Sequence, residues 1–362
     1  MTMAKHSMNT PVHRTFSRTL VELSPMTRTA TPLLFAAAFL AGCGSSPQYK
    51  VLQKFPIDGG GTWDYITYDS TGNRLFVSHQ SQVDVIDAAT GKALGTIKNT
   101  SGAHGIALVT EAGKGFITAG LSNWVVIFDL KTLETVGHVP TGTKPDAIVY
   151  DDGSRRVLVS NGDSNDMTVI DPFLGRSIGP IALAGAPEFI AGDGKGTVWV
   201  NLEDKNETLM VDPKAMEVKQ RFKPEGCEEP SALAMDRASR RLFVGCGNKI
   251  LAILDADSGK TIKTFPIGEH VDAGFFDEKT KTSFSSTGDG KITMVHEDSA
   301  DAFTLAGVIN TQRGAKTMAY DSANGKIYLP TAEGLPAEAT GPSFKGKQWP
   351  FGQFEVLVVG KQ

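Results

Sequence analysis

Apolar positions fall into short runs and nowhere into a long helical stripe. From Tyr49 onward, runs of Val, Ile, Leu and Phe alternate with turns built on Asp, Gly, Asn and Lys. The runs follow one grammar. A first strand ends in Asp and a turn ("YITYDSTGN", "AIVYDDGSR", "ALAMDRASR", "TMAYDSANGK"), and a second follows ("RLFVS", "RVLVS", "RLFVG"). A third alternates toward Asp ("VDVID", "VVIFD", "MTVID", "LAILD"), and a turn, often Gly-Lys or Gly-Arg, leads to a fourth such as "ALGTI" or "TIKTF". The stretch "LFVSHQSQVDVIDAATGKALGTI" from Leu75 is nearly restated 167 residues later, from Leu242, as "LFVGCGNKILAILDADSGKTIKTF".

Aligning the start of each first strand gives Asp64, His104, Asp146, Glu188, Ser231, Asp272 and Lys316, at intervals of 40, 42, 42, 43, 41 and 44 residues. Seven copies of a four-stranded unit predict an all-β, seven-bladed propeller, because one such sheet buries too little alone and a ring gives each sheet two neighbours. The last copy ends at its third strand, "FEVLVVG". The strand "YKVLQKFPI", Tyr49 to Ile57, is therefore expected to close the final blade; an open solenoid is the competing layout.

The repeats resemble the YVTN-type β-propeller family, the YncE-like group, whose blades carry V-x-V-I-D-x-x-T-G-K patterns like Val83 to Lys92. The resemblance spans nearly all of 49–362. It implies a fold and not an activity, since propellers serve as enzymes, binding modules and scaffolds alike. The Gly-His and Trp-Asp signature of WD40 blades does not recur, nor does the Gly-Gly of kelch repeats.

The segment before the repeats reads as a leader. "TPLLFAAAFLAGC" is an apolar stretch too short to span a bilayer, ending in small residues before a cysteine. Leu40-Ala41-Gly42-Cys43 resembles a bacterial lipobox, which implies that residues 1–42 are removed and Cys43 is lipidated, with 43–48 a short linker. Met26 would open a conventional signal peptide and is the expected true start. Gly44-Ser45 lacks an aspartate retention signal, which by resemblance to Gram-negative lipoproteins favours the outer membrane over the inner. The expectation is an exported, lipid-anchored, monomeric protein of the periplasm or cell envelope. A buried strand with an incidental cysteine is the alternative.

Charge narrows the partners. The full chain carries 36 Lys+Arg against 40 Asp+Glu. Losing Lys5, Arg14, Arg18, Arg28 and Glu22 with the leader leaves 32 against 39, a net of −7. An acidic chain without a dense basic run argues against nucleic acid as partner. The pairs Arg155-Arg156 and Arg240-Arg241 read as solvated turn residues on the face away from the site described next.

In a propeller the starts of the first strands surround one mouth of the central channel. The seven aligned residues are thus the candidate ligand-binding set: Asp64, His104, Asp146, Glu188, Ser231, Asp272 and Lys316. A wet channel explains polar residues there. So does a cation site, with Asp64, Asp146, Glu188 and Asp272 as carboxylate ligands for Ca²⁺ or Mg²⁺ and His104 extending the choice to Zn²⁺ or Mn²⁺. His79, His104 and His270 all map to this face, and His104 is the candidate general base. Residues 332–353, where other blades use a few residues, are expected to lid the channel or form a docking surface through Phe344, Trp349 and Phe351. Cys227 and Cys246 flank blade five on the same face and are expected to form a disulfide, in keeping with export.

No Gly-x-Ser-x-Gly, His-Glu-x-x-His or nucleotide-phosphate loop occurs. The tryptophan-docking motif of PQQ-dependent propellers is also absent. The sequence therefore favours a non-catalytic binding or scaffold lipoprotein, with an envelope protein or small molecule as ligand. The alternative is a metal-dependent hydrolase resembling gluconolactonase-type lactonases, with His104 as base for metal-bound water.

Overall fold

A computed structural model of the chain describes residues 49–335 and 352–362. The lipobox with Cys43, and the aromatic residues Phe344, Trp349 and Phe351, lie outside the described residues. Those described form seven four-stranded antiparallel sheets. Six are continuous in sequence: 63–98, 103–140, 145–182, 187–222, 230–266 and 271–310. The seventh combines Ala319–Asp321, Lys326–Ala332 and Phe354–Lys361 with Tyr49–Ile57 as its outer strand. Tyr49 pairs with Lys361 and Ile57 with Phe354, so the first strand closes the ring on the last as the sequence requires. Among the described residues helix is confined to two single 3₁₀ turns, Thr110–Ala112 and Glu203–Lys205.

Why these runs form blades follows from burial on both faces. Second and third strands are apolar almost without alternation; Leu75, Phe76 and Val77 are all fully buried. Seven apolar clusters lie among the described residues, one at each blade interface. The closing interface is packed with rings, with Trp63 stacked on Phe354 at 5.7 Å and Tyr68 on Tyr328 at 5.7 Å.

The repeated Asp-x-x-Thr/Ser-Gly turn also has a cause. The carboxylate of Asp87 accepts backbone N–H bonds from Ala89 (3.1 Å) and Thr90 (2.8 Å), and Asp129, Asp171 and Asp212 repeat the pattern. Four residues after the Asp the backbone is left-handed, at φ 72° for Gly91 and 70° for Gly259, which is why glycine recurs there.

First strands of successive blades contact one another and so line the axis. In six blades the ladder to the second strand breaks register at the second residue of the first strand, as between Trp63 and Ile66 or Pro187 and Ile190. The freed carbonyls bond the neighbouring blade instead. Ser78 donates to the carbonyl of His104, Thr118 to Asp146 (2.6 Å), Ser160 to Glu188 (2.7 Å) and Ser286 to Lys316. Asn201 does this for Ser231 (3.0 Å), and Thr317 for Asp64 across the closing interface. In six of the seven blades one hydroxyl or amide thus fixes the residue at the next blade's channel mouth; blade five, with Gly245 at that place, makes no such bond to Asp272.

Cys227 and Cys246 are bonded (Cα–Cα 5.5 Å, 19 residues apart), as expected from sequence. Replacing both with alanine should cost about 3 kcal/mol of unfolding free energy on the loop-entropy relation. Urea denaturation of the variant beside the oxidised parent measures this. An unchanged midpoint would mean that blade packing alone closes this loop.

Candidate functional site

The seven mouth residues separate into a triad, an ion pair and two single residues. His104 Nδ1 lies 2.5 Å from Asp64 Oδ2 and 3.7 Å from Asp146 Oδ1. One donor atom from each of these three residues falls within 4.8 Å of the others. On the next arc Lys316 is ion-paired with Asp272. Glu188 is hydrogen-bonded to Glu203, from the 3₁₀ turn between the second and third strands of blade four. Ser231, 9% exposed, is tied in through its carbonyl.

Local backbone explains how side chains so far apart in sequence converge. Two residues before the mouth position the chain is left-handed in five blades: Gly102 (φ 66°), Lys144 (57°), Glu229 (50°), His270 (58°) and Gly314 (81°). Gly120 makes room for the imidazole. A Cβ there would sit 2.9 Å from His104 Cδ2 and 3.0 Å from Nε2, so only glycine lets the imidazole lie back with Nδ1 toward Asp64.

The charges offset one another. Asp64, His104, Asp146, Asp272 and Lys316 keep 15–29% of their side-chain surface exposed, enough for the channel to reach them. Burial alone would lower the His104 pKa, yet its hydrogen bond to Asp64 and the charges of Asp146 and Asp64 raise it to about 9. Burial also opposes charge on Lys316, and the Asp272, Asp64 and Asp146 carboxylates outweigh it, so the ammonium is held above its ordinary value. Asp146 is raised by burial against the counteracting pull of His104, and Asp272 by burial against Lys316. Glu188 is pushed up to about 9, by burial first and then by the charges of Asp146, Glu203 and Asp272. Glu188 and Glu203 therefore hold a proton between them at neutral pH.

Beneath this group the channel is crossed. Tyr65 and Phe189, each the residue after a mouth residue, stack at 5.4 Å and 26°. They come from blades one and four, on opposite sides of the ring. Burial, and then the surrounding carboxylates Asp146, Asp64, Asp272 and Glu188, hold the Tyr65 hydroxyl protonated. The mouth is thus a polar cup with an aromatic floor. This pair was not foreseen from sequence, although each ring directly follows an aligned position.

Other candidates are placed elsewhere. His79 is 4% exposed; its Nδ1 bonds Asp84 at 2.8 Å and its ring packs on Phe354 at 4.6 Å, so it serves blade packing. His270 precedes the Asp272 strand at the rim and is exposed. The feet of the long loop are zipped by backbone bonds between Glu333 and Gln353 (3.0 Å) and Gly352 and Glu333 (3.0 Å). Arg240 and Arg241 are not solvated as expected: Arg240 grips Asp257 (2.6 Å) and Asp193 (3.3 Å), and Arg241 grips Asp255 (2.8 Å) and Asp301 (3.2 Å).

No family model matches the chain. No curated protein matches it either. Among solved structures it is similar to hydrazine synthase of Kuenenia stuttgartiensis (16% identity, TM-score 0.64, 76% of this chain and 93% of that one). It is also similar to U3-55K (8%, 0.71, 86% and 98%) and to the WD40 repeats of RRP9 (8%, 0.72, 87% and 97%). At such identities the likeness is one of fold. The chain is a seven-bladed β-propeller.

The folded state holds protons at His104 and Glu188 that the unfolded chain gives up earlier. Stability should fall as pH rises, from Glu188 between about 4.5 and 9 and from His104 between about 6.5 and 9. Urea midpoints at pH 6 and pH 9.5 should drop in the parent and drop much less in a His104→Gln/Glu188→Gln variant. Equal slopes in the two proteins would contradict these assignments.

Proposed function

We propose that this propeller is a binding protein of the cell envelope that holds a cationic group in the cup at its channel mouth. The observation that carries the reading is the convergence of Asp64, His104 and Asp146 within 4.8 Å above the Tyr65–Phe189 floor. Two carboxylates and an aromatic face recognise an ammonium group through charge and cation–π attraction. The Lys316–Asp272 pair and the Glu188–Glu203 proton reduce the repulsion around the cup. They also leave Asp64 and Asp146 as the carboxylates best placed to receive a cation. The ligand is a small molecule or the basic group of an envelope protein. The mildly acidic chain argues against nucleic acid.

The disulfide suits an oxidising compartment and supports export. Together with the lipobox resemblance it favours a lipid anchor at Cys43, and the repeat pattern favours the YVTN-type group. Cys43→Ser should move the protein from the membrane to the soluble fraction, and retention on membranes would count against the anchor.

The same three residues favour a second reading, a divalent-cation site serving hydrolysis of lactone type. Two carboxylates and an imidazole are a donor set for Zn²⁺ or Mn²⁺, with Ca²⁺ or Mg²⁺ less suited to the nitrogen. The fit has a condition: the proton between His104 Nδ1 and Asp64 must leave before that nitrogen can ligate. In this reading Asp64, Asp146 and the deprotonated His104 Nδ1 would hold the ion, which would activate a water for attack on the lactone.

Elemental analysis of the protein purified without chelator, and calorimetry with Zn²⁺, Mn²⁺ and a primary-amine series, decide between them. The binding reading expects amine binding lost in Asp64→Asn/Asp146→Asn and no stoichiometric metal. About one divalent ion per chain, lost in the variant, would favour the metal reading. Neither ligand binding would overturn both.

A further inference from the structure

The chain enters the propeller at the face remote from the mouth. A Cβ on Gly325, in the turn after the first strand of blade seven, would lie 3.9 Å from both the Tyr49 and the Tyr320 hydroxyls, so Tyr49 sits by the turns of that opposite face. Ile57, at the other end of the same strand, leads toward Trp63 and the cup. Six residues take the chain from Cys43 to Tyr49, and extended they reach about 20 Å. An acyl chain on Cys43, the anchor on which this inference rests, therefore keeps a bilayer close to Tyr49 and on the side away from the cup.

The edge beside Tyr49 differs from the rest of this acidic chain. Leu52 is the extra residue of a β-bulge between Val51 and Gln53 and stands over Gly360, 43% exposed. Leu94 fills the corresponding bulge of blade one and is 48% exposed. The Gly91 turn before it is seated on Phe55, which joins the two outer strands into one surface. Lys50, Lys92 and Lys326 flank these leucines, and Lys361 lies over the Tyr49 ring at 5.2 Å. None of the four has an ion pair among the described residues, whereas Lys54, nearer the mouth, pairs with Glu355 at 2.8 Å. Of the carboxylates here, Asp69, Asp321 and Glu355 are buried and already bonded. Asp87 and the terminal carboxylate at Gln362 remain, so the surface carries four cations against two anions.

We propose that this edge of blades seven and one docks on an anionic lipid surface. Its two leucines rest at the headgroup boundary, its four lysines meet the phosphates, and the cup opens away from the bilayer. An anionic surface repels the rest of an acidic chain and attracts only such an edge, so charge selects the orientation that the short tether permits. The cup thus stays open to ligands from the aqueous side.

The test couples the chain from Cys43 to a maleimide lipid in vesicles of phosphatidylcholine and phosphatidylglycerol. Cys43 supplies the one free thiol, since Cys227 and Cys246 are bonded to each other. Amine acetylation followed by mass spectrometry then reads each lysine. Lys50, Lys92, Lys326 and Lys361 should react about fivefold more slowly than in the untethered chain, the worth of one lysine's headgroup attraction. Lys98 and Lys144 on the mouth face, and Lys195 and Lys214 across the ring, should be unchanged. Leu52→Ser/Leu94→Ser, both at exposed positions, should lose most of the protection. Because the lipid is attached chemically, the outcome does not depend on acylation in the cell, which the Cys43→Ser fractionation decides separately. Slowing at Lys98 or Lys144, slowing spread over all lysines, or equal slowing on phosphatidylcholine alone would overturn the proposal. So would no slowing at all, which would leave the edge to a protein partner.

Discussion

A four-stranded blade with two apolar faces cannot exist alone, and everything else in this structure follows from that constraint. Each sheet needs two neighbours, so the chain must form a ring, and the ring must be closed by strand pairing between Tyr49–Ile57 and Phe354–Lys361. Closure then places seven first-strand starts around one mouth. The cross-blade bonds from Ser78, Thr118, Ser160, Asn201, Ser286 and Thr317 hold six of those positions by their carbonyls. The same strand termini that seal the hydrophobic interfaces therefore orient the polar cup.

Within the cup, electrostatics decide which residues remain available. Four carboxylates at a narrow mouth would repel if all were charged and unpaired. Lys316 neutralises Asp272, a proton bridges Glu188 and Glu203, and His104 sits between Asp64 and Asp146. The imidazole is the least fixed of these, since it is held by charge and by the space over Gly120 and not by enclosure. An incoming cation competes with the protonated ring for the same two carboxylates. Ligand binding and the protonation of His104 are thus the same equilibrium seen from two sides.

The fold was legible because its physics is local and repeated. The Asp-turn-Gly spacing, the two-sided apolar strands and the missing last strand each appear in the sequence, and each has its counterpart in the structure. The mouth residues were legible too, by alignment of strand starts. Their pairings were not, because Asp64 and His104, or Tyr65 and Phe189, meet only through the geometry of the closed ring. The hydroxyl near the end of the second strand was visible as the Ser or Thr of "RLFVS", "GFITA" and "RVLVS", but its bond crosses to another blade. His79 shows the reverse error: it lies on the predicted face, yet Asp84, five residues on, draws it into the packing.

The central claim is that the cup of Asp64, His104 and Asp146 receives a cation. Histidine side-chain NMR during titration with a primary amine tests it most directly, because an ammonium that enters the cup competes with the protonated His104 ring for Asp64 and Asp146. The account predicts saturable shifts at His104, with His79 and His296 unmoved. Shifts spread evenly over the histidines, or none at His104, would contradict it.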